Sequence, residues 1–76
     1  MNKERRAELQ KAADLLSEAK DLIQLASEDE RDYYDNMPEA LQGGDKGTRA
    51  DEVASELEDI ASEIDDLMNR VSDAQD

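Results

Sequence analysis

Asp and Glu supply 22 of the 76 side chains, against nine Lys and Arg and no His or Cys. No imidazole or thiol is therefore available for chemistry. General acid–base catalysis near neutral pH rests most often on histidine, and thiolate or Cys/His zinc sites need residues this chain lacks. Carboxylates alone hold Mg²⁺ or Ca²⁺ well only when a loop gathers them. Asp35-Asn36-Met37-Pro38-Glu39 lacks the D-x-[DN]-x-[DN]-G order of an EF-hand. A carboxylate di-iron bundle needs Glu-x-x-His. Gly43-Gly44-Asp45-Lys46-Gly47-Thr48 has the flavour of a phosphate loop but not its G-x-x-x-x-G-K-[ST] order, and no strand precedes it. It reads as a turn. The serines have no base beside them to activate them. Tyr33 and Tyr34 could stack on a ligand. The plainer reading packs Tyr33 at a hairpin tip, with Tyr34 at its edge. The expectation is a protein that is not an enzyme and takes no cofactor or metal.

Recognition remains. The net charge is −13, and its distribution is uneven. Residues 1–20 hold five bases against four acids, so the acidity belongs to the middle and the C-terminal half. From Asp51 to Asp76 ten carboxylates face one base, Arg70. Pairs recur at Asp51-Glu52, Glu58-Asp59 and Asp65-Asp66, with Ser72-Asp73 after them. On a helix this spacing repeats every ~10.5 Å, and the stretch as a whole carries one negative charge per roughly 4 Å of axis. One strand of DNA carries a phosphate per about 3.4 Å. Such a face would attract a protein with a basic groove and repel nucleic acid itself. Asp51, Glu52, Glu58, Asp59, Asp65 and Asp66 are thus the candidate partner-binding residues. A merely solvated coiled-coil face is the commoner meaning of such a charge run. The alternative function is structural or adaptor-like, with the apolar stripe making the contact through Leu15, Leu22 and Met68 at its edges.

Two helices must position these groups. Leu9, Leu16 and Ile23 recur every seven residues, as do Ala12, Ala19, Ala26 and Tyr33. Taken as a and d, these rows gain Leu15 and Leu22 at g, and Met37 extends a. The pattern predicts a helix over about 3–36 with a broad apolar stripe. Leu25 falls outside it. Ser27 and Glu30 have capping-box spacing, but Ala26 and Tyr33 keep the register, so the helix is read as continuous. Pro38 should end it and open a short helix reaching about Gln42. Gly43 and Gly44 read as C-cap residues and Gly47 as the end of the turn. Thr48, with Asp51 three residues on, reads as the N-cap of a second helix over about 48–73. Its rows are Ala50, Leu57, Ile64 and Val71 at a, Val53, Ile60 and Leu67 at d, and Ala54, Ala61 and Met68 at e.

The fold class is therefore all-α, a single helical-hairpin domain over 1–76 with its long helices antiparallel. Lys11 and Arg5 or Arg6 should then approach Asp73 and Asp76. Each stripe is wider than a two-stranded seam needs, and a chain this small is marginal alone. A homodimer forming a four-helix bundle is expected. Its core or dimer residues are Leu9, Leu15, Leu16, Leu22, Ile23, Leu57, Ile60, Ile64 and Leu67. The runner-up is a hairpin that completes its core on a different protein. No apolar run approaches a membrane span, and Met1-Asn2-Lys3-Glu4-Arg5-Arg6 is not followed by a signal-peptide apolar region. A cytoplasmic protein is expected.

The segment Glu30-Arg31-Asp32-Tyr33-Tyr34-Asp35-Asn36-Met37-Pro38-Glu39-Ala40-Leu41-Gln42-Gly43-Gly44-Asp45-Lys46-Gly47, with the acidic Ala-rich helix after it, resembles a largely uncharacterised group of small phage and prophage proteins. Those carry a D-N-[ML]-P-E-x-L-Q segment before a Glu/Ala-rich tail. The resemblance spans about residues 28–70 and excludes the basic start at 1–11. It implies a phage origin and two helices, and it carries over no catalytic residue. By analogy with small phage proteins that inhibit host proteins, it implies a host defence or nucleic-acid-binding protein with a basic surface as partner, met in the host cytoplasm.

Overall fold

The computed structural model describes residues 2–75. Helix α1 spans Lys3–Asp35, α2 spans Glu39–Gln42 and α3 spans Asp45–Ala74. The two long helices pack antiparallel into a rod of 59 × 14 × 12 Å. Its radius of gyration is 17.2 Å, where a compact chain of this length would have about 11 Å.

Local chemistry accounts for each helix end. Asn2 caps α1, its Oδ1 accepting from the Arg5 N–H at 2.8 Å. This cap is an N-terminal signal that the periodicity reading passed over. The helix runs unbroken through Ser27. It ends with the Asn36 N–H donating to Asp32 O at 3.0 Å, two residues before Pro38. Pro38 sits at the N-cap of α2, just outside the helix, and its carbonyl accepts from Leu41 N at 2.8 Å. The Gln42 side chain donates back to the Tyr34 carbonyl at 3.1 Å, which ties this corner to the end of α1.

Thr48 is not the N-cap of the second long helix. That helix starts three residues earlier at Asp45, with Gly44 at its N-cap, and the Thr48 N–H already donates to Gly44 O at 2.9 Å. Gly43 and Gly44 suffice for the turn, so Gly43 caps α2 and Gly44 opens α3. Asp45 then meets the positive end of the new helix. Gly47 is buried inside α3, not in the turn. A Cβ there would overlap the backbone of Gln42, so α2 lies against α3 only because position 47 has no side chain.

The seam between α1 and α3 also departs from the a/d/g and a/d/e stripes. The fully buried residues of α3 are Gly47, Ala50, Ala54 and Ala61, on the a and e rows. Opposite them, Ser27 is the one buried residue of α1, on the row Ala13, Lys20, Ser27, Tyr34 that starts one residue after Ala12. Leu9, Leu16, Ile23, Leu57, Ile60 and Ile64 are half-buried beside this line. Small side chains at the centre bring the two backbones close, close enough for Ser27 Oγ to donate to Ala54 O at 3.0 Å. A seam that narrow has no room for leucine at d or g. Among the described residues no large side chain is fully buried.

Candidate interaction surfaces

The seam divides the rod lengthwise into two unlike sides. On one side α1 sends cations across to the b row of α3. Lys20 Nζ lies 3.0 Å from Asp65 Oδ1, and Arg31 lies 2.6 Å from Asp51 Oδ1. Arg31 also reaches Ser55 Oγ at 3.3 Å and sits over the Tyr34 ring, 5.8 Å from its centre. The hydrogen bond to Asp51 raises the Arg31 pKa above its ordinary value, and the charges of Asp51, Glu58 and Asp35 add to the effect. Between the pairs runs an open polar groove lined by Lys20, Gln24, Ser27, Glu28, Glu58, Ser62 and Asp65.

These contacts sort the six candidate acids into two rows. Asp51 and Asp65 are half of interhelical ion pairs. Glu58, on the same b row, lies near enough to Arg31 to favour its charge. Glu52, Asp59 and Asp66 form the c row, turned away from α1. Glu52 stands 3.9 Å from Arg49 one turn back. Among the described residues no cation lies within 4 Å of Glu58, Asp59 or Asp66. All six remain exposed. With the b row partly neutralised, the outward carboxylates of the c row repeat only every ~10.5 Å.

The ionic links are not where the charge pattern places them. Among the described residues no ion pair joins Lys11, Arg5 or Arg6 to Asp73, and Asp76 lies outside the described residues. Gln75 donates to Gln10 Oε1 at 3.3 Å at that end instead. The tyrosines exchange roles as well. Tyr34 is half-buried beneath Arg31, while Tyr33 stands 52% exposed.

The opposite side carries the exposed leucines, beside the charged g row of α3, Arg49, Glu56, Glu63 and Arg70. The d and g rows of α1 and the d row of α3 meet there, because antiparallel helices set like heptad positions on the same flank. Tyr33 illustrates the pairing: it lines one hollow with Asp45, Lys46 and Arg49, and another with Met37 and Leu41. Along this flank Leu15 is 55% exposed, Leu22 67% and Leu67 43%. Val53 and Ile60 are half-buried among them, and Ala12, Ala19 and Ala26 lie between the leucines. Met68 is half-buried on the seam row and not at an edge of the face. Leu25, one turn after Leu22, is 56% exposed beside it.

Among the described residues no three His, Cys, Asp or Glu side chains converge as metal ligands. No described helix is long and apolar enough to cross a membrane. No family model, curated protein or solved structure matches the chain.

Proposed function

We propose that the protein is a non-enzymatic interaction module whose working contact is the apolar flank around Leu15, Leu22 and Leu67. One observation carries the reading. These leucines and Tyr33 share a side of the rod in solvent, while among the described apolar residues nothing larger than alanine is fully buried. Exposed leucines scattered singly mean little, but a contiguous row is the mark of a docking surface. The contact is hydrophobic and so tolerates salt.

The test compares the full chain with a Leu15→Glu, Leu22→Glu variant at 0.15 and ~0.5 M salt. Helicity by circular dichroism should persist. The wild-type chain should either associate or enhance the fluorescence of an apolar dye, and the variant should do neither. A wild-type chain that does neither sinks the reading.

A second reading is favoured by Glu58, Asp59 and Asp66, which the hairpin does not use in ion pairs. These acids would hold a basic surface on a host protein, in keeping with the phage-like 30–47 segment. Such binding weakens steeply with salt and is lost in Glu58→Gln, Asp59→Asn, Asp66→Asn. Binding that survives those changes excludes it.

A further inference from the structure

We infer that the apolar flank is covered by a second copy of this chain, α1 against α1 across a two-fold axis near Ala19. The inference rests on the reading of that flank as a docking surface and names its occupant. Three observations select the occupant.

The first is area. The chain exposes 5720 Å². A compact monomer of 8.5 kDa would expose about 4,700 Å². The excess of roughly 1,000 Å² is close to the ~800 Å² each partner buries in a standard stable interface. The hairpin has surplus surface of the size one dimer contact consumes.

The second is shape. On α1 the flank alternates projecting leucines with alanine notches, Leu15 and Leu22 among Ala12, Ala19 and Ala26. A two-fold axis at the middle alanine lets the leucines of each copy enter the notches of the other. The contact is then self-complementary, as an isologous interface requires.

The third is charge. Two copies bearing −13 each repel. The 12–26 stretch carries three acids, Asp14, Glu18 and Asp21, its one base Lys20 being bound to Asp65 on the other side, whereas 51–66 carries eight acids, of which Asp51 and Asp65 are paired with α1. Pairing through α1 joins the least acidic lengths and holds the α3 acid rows apart. A different protein with a basic surface would instead be drawn to α3.

The experiment is light scattering on the full chain at 0.15 M salt, with thermal melts at two concentrations. The expected mass is twice 8.5 kDa. The midpoint should rise by about 5 °C per tenfold concentration, as for a dimer that unfolds with dissociation. Leu22→Glu should halve the mass and remove the concentration dependence. Because that variant could also unfold, Ala19→Cys provides a second test. Its cysteines lie beside the axis and should yield a covalent dimer under mild oxidation without loss of helicity. A wild-type monomer that binds an apolar dye overturns the second copy while sparing the docking surface. A monomer that binds no dye overturns both. A dimer indifferent to Leu22→Glu, or one in which Ala19→Cys does not cross-link, overturns the α1 pairing.

Discussion

Ser27 does for this hairpin what no leucine does. It is 4% exposed, its hydroxyl bonded to the Ala54 carbonyl across the seam. A larger group there must push the helices apart. Ser27→Leu is expected to destabilise by about 1–3 kcal/mol in urea unfolding, although it puts leucine into a helix seam. Ser27→Ala keeps the volume, loses a hydrogen bond worth ~1 kcal/mol and regains about 0.5 kcal/mol in helix propensity, so it should change little. Arg31 is the other cross-seam residue. Its pKa is raised in the folded chain, chiefly by the bond to Asp51. A raised pKa contributes stability below the unfolded value and loses it only as pH climbs through the folded one. For an arginine that window lies far above neutrality. The stability difference between the wild-type chain and Arg31→Met should therefore stay level from about pH 6 to about pH 10, read from unfolding midpoints.

At the scale of elements, both long helices, the break at Pro38 and the antiparallel return were legible, because heptad rows and proline act locally. The rotation of each helix about its axis was not. The row Ala13, Lys20, Ser27, Tyr34 mixes small, charged and aromatic residues, and hydrophobicity alone ranks it below the leucine row at g. Alanine repeated at sevens suggests close approach both at d of α1 and at e of α3; Ala54 and Ala61 do lie in the seam, but Ala12, Ala19 and Ala26 do not, so that spacing alone could not fix the rotation of α1. The start of α3 was hidden for a similar reason. Gly47 looks like a turn residue, yet it lies inside α3, and the Gln42 backbone fills the space a Cβ would need. Gly47→Ala, which ordinarily favours a helix by ~1 kcal/mol, should here lower stability by about 1–3 kcal/mol. Thr48→Ala should shift it by less than ~0.5 kcal/mol, where loss of a true N-cap would cost ~1 kcal/mol. Thermal or urea unfolding of the two variants checks both statements.

The whole molecule is a rod with one salt-bridged side and one side of exposed leucines, under a charge of −13. The candidate acids were legible as residues but not as an array, since only the fold separates those that α1 neutralises from those it leaves. Removing two of the latter, Asp59→Asn with Asp66→Asn, should relieve repulsion and raise the unfolding midpoint by about 2 °C at low salt, the gain fading as salt is added. Melts at ~0.02 and ~0.5 M salt decide it. The two tyrosines stand on different sides of this rod, with Tyr33 bare beside the apolar hollow and Tyr34 sheltered under a guanidinium. With no tryptophan to mask them, they give the chain a built-in optical probe. A neutral quencher in solution should reach Tyr33 far more readily than Tyr34. Whatever docks at that end of the flank should announce itself by silencing the accessible half of the emission's response, with no label attached.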